Sequence, residues 1–192
     1  AINYRFITTD PFPAPLRDSA RAVQYLKSRA AEFKLDPKRF AVYGGSAGAG
    51  TSMWIAFHDD LANPASADPV ERESSRVACA GSIAGQSTYD PRTLKEWLGE
   101  KVLEHRAVPL LYGSGDTEKM LHPDAALDAL MRECSPIEHV TKDDPPLFMF
   151  YALTEDQSVG ALIHSVVFGR KLKEKLDALG MENELCTAEP RS

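Results

Sequence analysis

The feature that most constrains this chain is the run Gly44-Gly45-Ser46-Ala47-Gly48. It lies between the apolar tetrapeptide Phe40-Ala41-Val42-Tyr43 and a small-residue stretch that continues to Leu61. The tetrapeptide reads as a strand buried on both faces, and residues 47–61 read as a helix. The pattern G-x-S-x-G between two such elements forces a tight strand-to-helix turn. A serine at its apex projects from the carboxyl edge of a sheet. Side chains two residues before and two after it would collide there, which accounts for glycine at 44 and 48. The helix beyond points its N-terminus at the serine, and the Ala47 N–H is expected to bind a developing oxyanion.

Two other readings of the same glycines fail on chemistry. Residues 45–52 match a phosphate loop at every position but one, with Thr51 where the lysine that neutralises phosphate charge should stand. A dinucleotide fingerprint through Gly48 and Gly50 needs a third glycine at 53, which is Met53. The plainest alternative is a glycine-rich turn that only packs a helix against a strand.

Around the turn, apolar runs and amphipathic stretches alternate. Ile2–Ile7 alternates apolar and polar residues, a short strand signal. Leu16, Ala20, Val23, Leu26, Ala30 and Phe33 recur at helical spacing, and Asp36-Pro37 closes that region. Residues 77–84 read as a second buried strand, 62–76 as a surface connection, and 93–105 and 123–133 as helices. Leu147–Tyr151 is the clearest strand. Phe168, Leu172, Leu176 and Leu179 form a second helical stripe, with Gly180 as its C-cap, before a last strand beginning at Glu184. Strand and helix in alternation predict an α/β fold: a mostly parallel sheet with helices on both faces, as one domain over residues 1–192.

Bulk properties narrow the partners. The 192 residues carry a net charge of −6, which argues against nucleic acid and anionic membrane surfaces. No apolar run approaches membrane-spanning length. Cys79, Cys134 and Cys186 are odd in number and widely spaced, so neither a disulfide framework nor a zinc-type cluster is expected. The chain begins at Ala1 with no basic-then-apolar leader.

The ordered series of features resembles bacterial carboxylesterases of the α/β-hydrolase superfamily, the esterase/lipase branch that acts on small acyl esters. The resemblance rests on Asn3-Tyr4-Arg5, Pro11-Phe12-Pro13-Ala14-Pro15 with Asp18, Asp36-Pro37-Lys38-Arg39, the turn at Gly44–Gly48, Ser135-Pro136-Ile137, and Asp143-Asp144-Pro145-Pro146 before the Leu147 strand. It implies that Ser46 is the nucleophile of an acyl-enzyme mechanism that uses no metal or organic cofactor. It also implies an acid in the loop after the Leu147 strand. Spacing favours Glu155 and residue type favours Asp156, and both stay open.

Two departures from the family pattern follow. The oxyanion loop with its HGG-type motif, and about three strands, have no counterpart before Ile2. The histidine that follows the family's last strand has none either, since Thr187 to Ser192 include no His. Of His58, His105, His122, His139 and His164, only His164 follows the acid loop, and it reads as the polar start of a helix. On these grounds the chain is expected to lack a catalytic base and to be nearly inactive by itself. An exposed sheet edge would then invite a homodimer. A catalytically impaired remnant serving as a binding or structural module is the alternative to a small-ester hydrolase.

Overall fold

A computed structural model describes residues 1–188. The elements are α1 (Ala14–Ser28), α2 (Ala30–Phe33), β1 (Ala41–Gly45), α3 (Ala47–Phe57), β2 (Cys79–Ile83), α4 (Pro91–Leu98), α5 (Thr117–Leu121), α6 (Ala125–Cys134), α7 (Pro136–His139), β3 (Leu147–Ala152), α8 (Val159–Leu162), α9 (Val166–Ala178) and β4 (Asn183–Ala188). Two short 3-10 helices, Glu100–Glu104 and Val108–Leu110, lie between α4 and α5. The four strands form one sheet in the order β1-β2-β3-β4, and every pairing is parallel. Crossovers through α3, α4–α7 and α9 make that possible, because parallel neighbours cannot be joined by a tight turn.

The register aligns Val42 with Ala80 and Ala80 with Leu147, then Ser82 with Met149. These side chains share a face, and the helices cover it. Met53 and Phe57 of α3 and Phe168, Leu172 and Leu176 of α9 join Ala80, Leu147, Met149 and Tyr151 in one buried cluster. A second cluster unites Leu16, Ala20 and Val23 of α1 with Trp54 and Ile55 of α3. Helix α3 therefore has neighbours on most sides, and every residue from Ala49 to Phe57 is buried. Such an all-round apolar helix belongs inside a domain.

The helical cover is uneven. Tyr43, Ile83 and Phe148 lie on the opposite face of the sheet, and Tyr43 is 81% exposed. The expectation that 40–43 is buried on both faces is corrected here: Phe40 precedes β1, and the strand alternates between half-buried and exposed residues. The predicted strand Ile2–Ile7 is also corrected, for that segment is irregular and turns at 7–9. Its alternating pattern meets no partner strand among the described residues. The Arg5 guanidinium and main-chain N–H instead bind the Asp18 carboxylate of α1. The predicted helix 93–105 breaks at Gly99, which takes φ +82°, a value that suits glycine.

Candidate active site

The site lies where the carboxyl ends of β1, β2 and β3 meet, the usual place for chemistry in an open parallel sheet. Ser46 is the residue between β1 and α3, with φ +52° and ψ −117°. That is a sparsely populated region for a residue with a side chain. Its main-chain N–H donates to Ile83 O at 2.9 Å, which ties the turn to the end of β2. A Cβ on Gly44 would come within 2.4 Å of Gly48 C, so glycine is required at 44 by the close approach of the chain to itself. The matching expectation for Gly48 is corrected: a Cβ there would meet nothing within 4 Å.

Helix α3 starts immediately after Ser46. Its first backbone bonds run from Ala49 and Gly50 N–H to Ser46 O. Ala47 N–H, the predicted oxyanion donor, has no hydrogen-bond partner among the described residues. It stands at the positive end of the helix dipole, where a developing negative charge is favoured.

The structure brings His164 to Ser46. Its Nε2 lies 2.8 Å from Ser46 Oγ. Its Nδ1 lies 2.7 Å from the Gly160 main-chain carbonyl, which can only accept, so Nδ1 carries the proton and Nε2 faces the hydroxyl with a lone pair. A histidine in contact with Ser46 is not expected from the sequence, and the structure places one there. His164 does not start a helix: it falls in the bend between α8 and α9, where Ser165 caps α9. That bend folds back over the turn at Ser46, a relation between residues 118 apart that no local pattern records. Gln86, following β2, steadies the bend by donating from Nε2 to Ile163 O at 2.6 Å.

Neither predicted acid reaches His164. The Asp156 carboxylate accepts from Ser158 N–H at 2.7 Å and from Ser158 Oγ at 2.8 Å. Those two bonds, the main-chain one foremost, hold it below the ordinary carboxylate range. Ser158 Oγ in turn accepts from Ala161 N–H and caps α8. Asp156 thus braces the short helix that carries the Gly160 carbonyl. The Glu155 carboxylate is exposed and makes no hydrogen bond among the described residues; only its main-chain carbonyl accepts, from Gln157.

A cavity of about 180 Å3 opens beside Ser46 and His164. Its walls are mainly apolar, with Phe6, Phe12, Leu94, Val108, Leu111 and Ile163 among them. Tyr4 and Ile7 also line it, placed there by the Arg5–Asp18 fork. His105 is a polar wall residue missed in the sequence. Burial, with the Arg106 charge adding, holds its imidazole below the usual value.

This sheet, with a serine raised at the end of one strand, has the architecture of the α/β-hydrolase esterases. The chain belongs to the family described as BD-FAE, whose model matches residues 1–172. It is 29% identical over 153 residues to a probable carboxylic ester hydrolase, LipM, of Mycobacterium tuberculosis, covering 79% of this chain and 32% of that protein. An AB hydrolase superfamily protein of Schizosaccharomyces pombe is 31% identical over 88 residues, 46% of this chain and 26% of the relative. The chain thus spans about a third and about a quarter of these two curated relatives. Among solved structures, an acetyl ester-xyloside bifunctional hydrolase from Caldicellulosiruptor lactoaceticus aligns with a TM-score of 0.72 at 26% identity, over 99% of this chain and 60% of its own. A truncated carbohydrate esterase from gut microbiota has the same fold, with a TM-score of 0.75 at 21% identity over 98% and 64% of the two chains.

Proposed function

We propose that this chain is a serine hydrolase of the carboxylesterase/lipase type that cleaves small carboxylic esters through an acyl-enzyme on Ser46. The observation that carries the reading is the 2.8 Å contact between Ser46 Oγ and His164 Nε2. In this mechanism Nε2 takes the hydroxyl proton as Oγ attacks the ester carbonyl. The Gly160 carbonyl, bonded to Nδ1–H, holds the imidazole in the required tautomer and supports the imidazolium, the task a carboxylate performs in a serine triad. Ala47 N–H faces the oxyanion, and the imidazolium then protonates the departing alcohol. Water attacks the acyl-enzyme by the reverse sequence. The apolar walls beside Ser46 favour a short acyl group, because an apolar chain gains by leaving water only as far as the walls extend. The acetyl, propionyl and butyryl esters are the natural first substrates. The reading includes a second copy of the chain paired on the outer edge of β1.

Hydrolysis of p-nitrophenyl acetate and labelling by a fluorophosphonate test the proposal together. Wild type should turn over the ester and take the label, and Ser46→Ala should do neither. Hydrolysis that continues unchanged in Ser46→Ala sinks the proposal and leaves a binding module on a hydrolase fold.

A further inference from the structure

A second cluster of reactive side chains lies at the other end of α3. His58 caps that helix, Glu133 lies near the end of α6, and His139 ends α7. All three are half-buried, and one ligating atom from each lies within 4.8 Å of the others. Their separations in the chain, 75 and 6 residues, match no metal-binding motif, so the cluster is invisible in the sequence.

The hydrogen bonds around it are unusual. His58 Nδ1 lies 2.9 Å from the Asp59 main-chain carbonyl and must donate to it. The other ring nitrogen, Nε2, is 3.1 Å from the Glu133 carboxylate. With Nδ1 turned to that carbonyl, Nε2 and the carboxylate oxygen face the same space, and their 3.1 Å separation is close to the roughly 3.3 Å between ligand atoms in a tetrahedral site with bonds of about 2.0–2.1 Å. His139 has the same division of labour: its Nε2 lies 2.8 Å from the Glu133 main-chain carbonyl, and its Nδ1 keeps the lone pair. Rings oriented by a carbonyl on one nitrogen are the arrangement found around metal-bound histidine. Trp54 packs beside both rings and donates from Nε1 to the same Glu133 carbonyl at 2.7 Å, so the frame is rigid as well as polar.

We propose that His58, Glu133 and His139 form a site for a divalent transition-metal ion of the zinc class. Two imidazoles and one carboxylate suit that class better than calcium or magnesium, which take oxygen ligands. The proposal assigns His139 Nδ1, the nitrogen not bonded to the Glu133 carbonyl, as the third ligand, with water in the fourth position. The site does not serve the ester chemistry. Twelve residues separate His58 from Ser46 along α3, about 18 Å at the helical rise. Its work is to fasten the end of α3 to α6 and α7. Arg17 opposes it, because its guanidinium sits 3.7 Å from Glu133 Oε1 and repels a second cation there.

The test is titration of the EDTA-stripped chain with Zn2+ and, separately, Co2+. We expect one equivalent of Zn2+ bound with a micromolar or tighter Kd, and visible Co2+ absorption of tetrahedral intensity. The melting temperature should rise by several degrees at a hundredfold excess over Kd. His139→Ala and Glu133→Gln should each weaken binding by about a hundredfold or more, whereas His122→Ala, at the exposed histidine just after α5, should not change it. Arg17→Met should tighten binding severalfold, an outcome that misfolding cannot imitate. Wild type that binds no Zn2+ at about 0.1 mM, or an equivalent retained by folded His139→Ala and Glu133→Gln, overturns the proposal. Loss of binding in Arg17→Met does so as well.

Discussion

The two glycines that flank Ser46 are not equivalent, and the difference can be measured. Gly44→Ala drives a Cβ to 2.4 Å from a backbone carbon that cannot retreat without opening the turn. We expect a loss of about 3 kcal/mol in urea unfolding, at the upper end of overpacking costs, together with loss of any esterase activity. Gly48→Ala places a methyl in open space inside the first turn of α3, and should gain up to about 1 kcal/mol by helix propensity. A similar loss in both variants would mean that the turn differs from the one described. His164 and Asp156 offer a second contrast. His164→Ala should lower kcat by about 10^6-fold, the loss seen on removing the histidine of a serine triad. Asp156→Asn keeps an acceptor for the Ser158 N–H and should cost less than about tenfold. If Asp156 were the residue that holds the imidazole, the same change would cost about 10^4-fold, so a single kinetic measurement separates the roles.

At the scale of elements, the sequence was legible where the information is local. The β1–Ser46–α3 turn follows from five consecutive residues, and α9 with Gly180 after it follows from apolar spacing and a residue at φ +68°. The partner of Ser46 was not legible, because His164 reaches it through the α8–α9 bend and its placement depends on Gln86 and Gly160 together. The acid loop misled for a related reason: Asp156 has the right type and position, yet its carboxylate is consumed by Ser158. The N-terminal segment was misread because alternation is only half of a strand signal; a strand also needs a neighbour, and Arg5 takes Asp18 instead. That tether makes a pH prediction. The Arg5 hydrogen bond holds the Asp18 carboxyl below its ordinary value of 3.8. A depressed folded value means that the stabilisation is present above 3.8 and is lost as pH falls through the lower, folded value. Hydrogen exchange should therefore find the Arg5 amide, which donates to Asp18 Oδ2, protected at pH 5 and released only in stronger acid. In Asp18→Asn the amide should exchange more quickly at pH 5, with Tyr4, Phe6 and Ile7 leaving the cavity wall more often.

For the whole molecule, the proposed pairing on β1 rests on the uneven cover of the sheet among the described residues. Strand β1 pairs only with β2 among the described residues, which leaves its outer main-chain groups without a strand partner. Beside that edge stands Tyr43 at 81% exposure, with Ile83 and Phe148 on the same face. An open edge next to an apolar face is the combination that promotes strand addition. The net charge of −6 opposes association only at long range and is screened within about 8 Å at physiological salt. We therefore expect sedimentation velocity to show self-association that grows with protein concentration and persists in added salt, since it depends on apolar contact and main-chain pairing rather than on charge. Tyr43→Lys combined with Ile83→Lys should return the chain to monomer without altering the turn at Ser46, because both side chains point away from the buried cluster beneath α3. Wild type that stays monomeric across that range would show that the face is wetted without penalty. The pairing on β1 would then fall, while the contact between Ser46 and His164, made within one chain, would stand.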